Sequence, residues 1–255
     1  MTLWGYDTDR FNFVGHVLRL IGYGAPLREL HKVVPMSDQL MDENATNAVG
    51  RMMYNQDASF RNLFGEFIFQ LRQDMRDARR DSDFDFVYQR TPTVRFHFPV
   101  QFDNQFRLND RVMCQHNDQM LGHPPGEINC WLPLTDCGGT AGLQLATLED
   151  SLACGADWFG RRGSLEAFQL HLTHDKWLAA QVERKTKPRK LKVGTYLSFD
   201  GRQLHGPDEN IEGYTRVSMD WRIMPVELYE ALDREYVGTG RTGRNYVVGD
   251  VYARL

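Results

Sequence analysis

A β-rich body behind a helical preface, of the sandwich or barrel kind, is the fold class this sequence predicts. Three observations predict it. The segment DASFRNLFGEFIFQLRQDMRDARR repeats apolar residues at three- and four-residue steps. From Phe84 that spacing gives way to short runs rich in β-branched and aromatic residues, parted by Gly, Pro and Asp. No internal repeat and no linker interrupts the 255 residues, which suit a single domain. The division is a helical preface over 1–82, the β core over 83–224, and a C-terminal helix and tail over 225–255.

The preface opens with a helix around FNFVGHVLRLIGY, ended by Gly22 and Gly24. In the longer helix Phe60, Leu63, Phe64, Phe67, Ile68, Leu71 and Met75 form one stripe, with Arg and Asp opposite. Asp57 or Ser59 is placed to cap it. In the body, FVYQRTPTVRFHFPV, EINCWLPL, GLQLATL, GTYLSFDG and YTRVSMDWRIM read as strands. Strand and helix patterns compete in SLEAFQLHLTHDKWLAAQVER. Pro225 suits the first turn of a helix through VELYEALDREY, and the tail GTGRTGRNYVVGDVYARL reads as mobile or draped over the body.

Composition narrows the function. A net charge of −4 gives no pull towards nucleic acid or anionic lipid, so neither is expected as a partner. No apolar run approaches the roughly 18 residues a membrane span needs, and MTLWGYDTDRF lacks the pattern of a signal peptide, so a cytoplasmic protein is expected. Cys114, Cys130, Cys137 and Cys154 show no CxxC pairing and read as scattered thiols. Arg184 to Lys192 holds six basic residues in nine, without interleaved aromatics, and reads as a solvated loop.

The chemistry is concentrated in two places. In QHNDQMLGHPPGEINCWLPL, His116 and Asp118 stand two apart just before a strand. By itself this means little: with 34 acids in 255 residues and eight His, about one such pair arises by chance. In GTYLSFDGRQLHGPDENIEGYTRVSMDWRIMP, His205 follows one strand and precedes another. On that second strand Arg216, Ser218, Asp220 and Arg222 share one face, and Val217, Met219, Trp221 and Ile223 the other. The apolar face belongs to a core. The charged face belongs to a polar cavity or to solvent, with Asp220 and Arg222 as readily in solvent as in the cavity.

Together these residues resemble the signature of the non-haem iron(II)/2-oxoglutarate dioxygenases. That signature is His-x-Asp, a long gap, a distal His, then an Arg about ten residues on with a small hydroxyl residue two beyond, as in His116, Asp118, His205, Arg216 and Ser218. Gly122-His123-Pro124, Gly126 to Asn129, Trp131 to Thr135 and HGPDENIEGYTRVSMDWRIMP resemble the phytanoyl-CoA-hydroxylase-like branch. They resemble in particular the dioxygenases of aminoglycoside pathways of the streptomycin and hygromycin kind. The likeness covers 90–225 and adds little for the first 80 residues.

The resemblance implies a double-stranded β-helix (a jelly roll, cupin-like) flanked by helices. It implies Fe(II) held by His116, Asp118 and His205, with 2-oxoglutarate and O2 as co-substrates. Two imidazoles and a carboxylate on one face of the ion leave the other face open for them. Arg216 offers a planar fork to the far carboxylate of 2-oxoglutarate, and Ser218 a hydroxyl beside it. Asn129 and Arg95 are further candidates for the co-substrate, Arg95 sharing a strand face with His97. His123, Glu127 and Trp131 are candidates for substrate contact. Trp131, Leu132 and Phe199 are candidate dry walls. The implied reaction oxidises an unactivated C–H of a small polar, amine-bearing sugar or aminocyclitol, by hydroxylation or ring closure, for which Asp83, Asp85, Glu127, Asp136 and Glu149 are candidate rim acids. His171 and His174 lack a third ligand and read as surface residues. A cupin-like sugar epimerase or isomerase, against which Arg216 and Ser218 speak, and a non-catalytic sugar-binding jelly roll whose histidines are incidental are the alternatives.

Overall fold

The computed structural model describes residues 1–22, 24–33, 48–100, 115–161, 164–232 and 246–255. Cys114, positions 233–236 of the expected C-terminal helix and positions 238–245 of the tail lie outside them.

The preface is mostly helical: α1 (Phe13–Ile21), α2 (Ala48–Gln56) and α3 (Ala58–Arg79). The Asn12 side chain accepts from the Gly15 N–H to start α1, and Gly22, at φ 69, ends it. Asp57 caps α3 by accepting from the Phe60 N–H at 3.0 Å. The preface also contains a strand that no periodicity announces. β1 (Thr2–Gly5) pairs with β7 (Thr195–Asp200), and Trp4 Nε1–H donates to Ser198 Oγ at 2.8 Å.

The body holds β2 (Phe86–Gln89), β3 (Thr93–His97), β4 (Ile128–Pro133), β5 (Gln144–Leu145), β6 (Lys187–Pro188), β8 (His205–Gly206) and β9 (Arg216–Pro225). The main sheet runs β1-β7-β4-β9-β2-β10, β10 being Tyr252–Ala253, and β3 also pairs with β9. The small sheet runs β6-β5-β8, and His116 bridges to His205 on the far side of β8. The named pairings are antiparallel. From β3 the chain visits the main sheet, the small sheet at His116, the main at β4, the small at β5 and β6, the main at β7, the small at β8 and the main at β9. This is the alternation of a double-stranded β-helix, so the fold is mainly antiparallel β with flanking helices.

One face of the main sheet carries the helices. Trp221, fully buried, meets Phe64 and Phe67 edge-on at 5.9 and 5.5 Å. Phe60, Phe64, Phe67, Ile68, Leu71 and Met75 of α3 pack with Val217, Met219, Trp221 and Ile223 of β9 and with Cys130 and Leu132 of β4. The opposite face looks at the small sheet. There Trp131, Leu143, Leu145, Leu197 and Phe199 form a second cluster. Leu132 therefore belongs to the helical side and is not a wall of the inter-sheet space. The strand period of two leaves it no alternative once Trp131 faces inward.

Between β5 and β6 lie α4 (Leu148–Ala153), α5 (Ala156–Arg161), α6 (Leu165–His174) and α7 (Lys176–Lys185). The helical pattern prevails over the strand pattern because both long helices have side-chain caps. Ser164 accepts from the Ala167 N–H and Asp175 from the Leu178 N–H. Met120, Phe159, Phe168, Leu178 and Leu204 bury a third cluster beneath the insertion, and His171 stays on the surface. The basic run divides. Lys185 pairs with Asp150, Arg189 Nη2–H donates to the Leu145 carbonyl at 2.7 Å, and the residues of β6 are exposed. Pro225 leads into α8 (Val226–Glu230), and the last ten residues lie on the body, with Tyr246 and Tyr252 buried. Among the described residues no helix is long and apolar enough to cross a membrane.

Candidate metal centre

The turn that carries Asp118 is fixed by its neighbour. Asn117, fully buried, accepts from the Met120 N–H at 3.0 Å and donates through Nδ2 to the Ala156 carbonyl of α5 at 3.0 Å. Gly122, at φ 82, closes the short 3-10 turn Asp118–Leu121. Gly201 holds the turn from the other side. Its carbonyl accepts from the Asp118 N–H and its own N–H donates to the Glu127 carbonyl, both at 3.0 Å. A Cβ there would stand 3.1 Å from that Glu127 oxygen.

His116 and His205 exchange main-chain hydrogen bonds, 2.9 Å from the His116 N–H and 2.8 Å from the His205 N–H. Their rings lie 4.8 Å apart. His205 Nδ1–H donates to the Gln203 carbonyl at 2.8 Å, which leaves Nε2 with its lone pair free, as a metal ligand requires. That Nε2 is 3.6 Å from Asp118 Oδ1. One ligand atom each from His116, Asp118 and His205 lie within 4.8 Å of one another. The three residues picked from the sequence therefore meet at one point.

Arg222 does not face solvent. Its Nε–H donates to Asp118 Oδ2 at 2.8 Å and its Nη2–H to Oδ1 at 3.0 Å. Burial would raise the Asp118 carboxyl, but the Arg222 guanidinium outweighs it and holds the group well below the usual carboxylate range. Arg222 also lies 3.6 Å from Glu127 and donates to Gln89 Oε1 at 3.2 Å. Glu127 in turn accepts from the Tyr252 hydroxyl and hydrogen-bonds His123 Nδ1 at 2.9 Å. His123 and Glu127, candidates for substrate contact, thus sit buried in a network behind the Asp118 carboxylate.

At the other end of β9 the inner face is short of acceptors. Arg216, buried, donates to the Ala141 carbonyl at 3.1 Å, to Ser218 Oγ at 2.8 Å and to His97 Nδ1 at 3.2 Å. Among the described residues no carboxylate pairs with it, and burial lowers its pKa to about 10. It lies over the Trp131 ring at 5.6 Å. His97 accepts on Nδ1, so its Nε2 carries the hydrogen, and this buried atom has no partner. Burial, reinforced by Arg216, lowers the His97 pKa to about 3 and keeps the ring neutral. Asn129 Nδ2 is likewise buried and unpartnered, and Asn129 lies opposite Arg222 in the β4–β9 register. Unmet donors stand at both ends of one strand face, beside a cation without an anion. Such a surface suits an anion.

Arg95 points to the same face but is engaged: its Nε–H donates to Asp220 Oδ1 at 2.5 Å and its Nη2–H to Oδ2 at 3.2 Å. Asp220 is buried by that pairing rather than solvated. Of the expected rim acids, Glu127 is internal, Asp85 lies 3.5 Å from Arg72, and Asp136 accepts from the Val193 N–H.

No family model matches the chain. It is 28% identical over 158 residues to the streptomycin biosynthesis protein StrG of Streptomyces griseus, a match spanning 61% of this chain and 56% of that protein. The chain thus covers little more than half the length of the curated relative it matches. Among solved structures it is similar to EctD from S. alaskensis in its apoform, at a TM-score of 0.43 and 14% identity over 94% of this chain and 77% of that one. It is also similar to SnoK, a non-heme alpha ketoglutarate dependent carbocyclase from nogalamycin biosynthesis, at a TM-score of 0.38 and 15% identity over 86% of this chain and 75% of that one. These structural likenesses are slight, and the strand order of this chain carries the fold assignment by itself. The StrG match agrees with the streptomycin-pathway side of the resemblance that the motifs carry.

Proposed function

We propose that the chain is an Fe(II)/2-oxoglutarate-dependent oxygenase that oxidises an unactivated C–H of a small polar substrate, an aminoglycoside or aminocyclitol sugar of antibiotic biosynthesis. The observation that carries this reading is the inner face of β9. Its Arg222 end holds the carboxylate of a His-Asp-His cluster, and its Arg216 end presents a buried guanidinium that no described carboxylate neutralises. The second feature speaks against a cupin-like epimerase or isomerase of a neutral sugar, which has no anion to place there. The aminoglycoside class rests on the motif resemblance and on the similarity to a streptomycin biosynthesis protein.

Bound iron with 2-oxoglutarate and O2 supplies the oxidising chemistry, with succinate and CO2 as co-products. The chain's own groups do the placing. Arg216 takes the distal carboxylate, with Ser218 and the His97 Nε2–H beside it. The Asn129 amide donates at the metal end. Trp131 and Phe199 keep water from the space between the sheets, which strengthens each of these contacts.

The test is anaerobic addition of Fe(II) and then 2-oxoglutarate. A weak visible absorption band is expected for the wild type and not for His205→Ala. A band that survives in His205→Ala, or fails to form in the wild type, overturns the reading. Incubation with aminoglycosides under O2, followed by mass spectrometry, is expected to show the addition of one oxygen or the loss of two hydrogens. No O2-dependent mass change across the class would reject the proposed substrate.

A further inference from the structure

The triad alone does not explain why five further charged or polar groups, Arg222, Gln89, Glu127, His123 and Tyr252, are buried behind Asp118. A carboxylate ligand turns about its terminal bond, and an ion can take one oxygen or both. In this chain that freedom is removed. The Arg222 fork engages both oxygens of Asp118, at 2.8 and 3.0 Å, and its remaining nitrogen donates to Gln89. Each carboxylate oxygen keeps a lone pair, and Oδ1 is the one that faces His205 Nε2 at 3.6 Å. Glu127, 3.6 Å from Arg222, shares the guanidinium charge, so Asp118 is not neutralised by its partner and keeps its pull on a cation. Glu127 is itself fixed, Oε1 by the Tyr252 hydroxyl and Oε2 by His123.

We infer that Arg222 is a positioning residue of the metal centre. Its guanidinium sets the plane of the Asp118 carboxylate, and Glu127, oriented by Tyr252 and His123, sets Arg222. The inference rests on the reading of His116, Asp118 and His205 as metal ligands. It adds that the C-terminal strand β10 reaches the metal centre through Tyr252. Lysine does not replace Arg222, because a single ammonium holds one oxygen and leaves the plane free.

The experiment uses Co(II) as a spectroscopic probe on the wild type, Arg222→Lys and Tyr252→Phe, with calorimetric titration, the visible Co(II) spectrum and thermal melting on each. The wild type is expected to bind one Co(II) per chain. Arg222→Lys is expected to bind it about ten- to a hundredfold more weakly, with an altered visible spectrum, because the carboxylate now turns. Tyr252→Phe, which removes one hydroxyl two contacts from the ligand, is expected to weaken binding about fivefold while the protein stays folded. Wild-type affinity and an unchanged spectrum in Arg222→Lys overturn the inference and leave the metal site standing. Should Arg222→Lys not fold, Tyr252→Phe decides: unchanged affinity and spectrum there overturn it. A wild type that binds no Co(II) removes the ligand assignment and the inference together.

Discussion

Replacing Arg216 by Met separates co-substrate binding from stability. The side chain has five N–H hydrogens, and three protein acceptors engage it: the Ala141 carbonyl, Ser218 Oγ and His97 Nδ1. Two hydrogens therefore remain for a ligand. Two charge-assisted bonds to a carboxylate are together worth about 3 kcal/mol after desolvation, so the variant is expected to bind 2-oxoglutarate roughly a hundredfold more weakly. Stability moves much less. The variant loses three hydrogen bonds but no longer buries a cation without an anion, and the two effects offset to within about 1 kcal/mol. The assay is calorimetric titration of 2-oxoglutarate into the Co(II)-loaded proteins, with denaturant unfolding of each. An affinity within about threefold of wild type shows that Arg216 is a structural cation and that the inner face of β9 is not a dicarboxylate site.

Three further outcomes are expected. Phe67→Ala opens a cavity where α3 meets Trp221 and is expected to cost about 3–5 kcal/mol in denaturant unfolding, while a shift below about 1 kcal/mol contradicts the packing described. His97 is held neutral in the fold and binds a proton more readily when unfolded, so its contribution to stability is full above pH 6.5 and is lost as pH falls from 6.5 towards about 3. His97→Asn is expected to flatten the fall of stability, up to about 1.4 kcal/mol per pH unit, measured by unfolding between pH 6.5 and 4.5, and an identical slope in the variant refutes the assignment. Gly201→Ala sets a methyl 3.1 Å from the Glu127 carbonyl and displaces the Asp118 turn. Co(II) affinity is expected to fall about tenfold, with near-native circular dichroism, and undiminished affinity argues that the turn is not held from Gly201.

The triad was legible in the sequence because its chemistry demands particular residue types at recognisable spacings. The inner face of β9 was legible because alternation along a strand is a local property. What local reading leaves open is which partner each charge finds. Arg222 is 104 positions from Asp118, and Tyr252 is 125 from Glu127. Alternation put Arg222 on the face of Arg216 without distinguishing cavity from solvent. β1 escaped notice because four residues are too few to show a period and their partner strand is nearly two hundred positions away. In 164–184 the apolar spacing was ambiguous, and the caps at Ser164 and Asp175 carried the signal that decided for helix.

The paired backbone of His116 and His205 has one more consequence. Two imidazoles whose main chains are hydrogen-bonded to each other have their spacing set by the backbone, unlike ligands that are gathered by a metal as a finger folds. A frame held by backbone pairing does not draw on the energy of folding to choose among ions. Nitrogen and oxygen donors of this kind hold zinc and copper more tightly than ferrous iron. On the proposed function the centre is therefore open to poisoning by the later metals of the row, and which ion fills it is decided by what the surroundings supply.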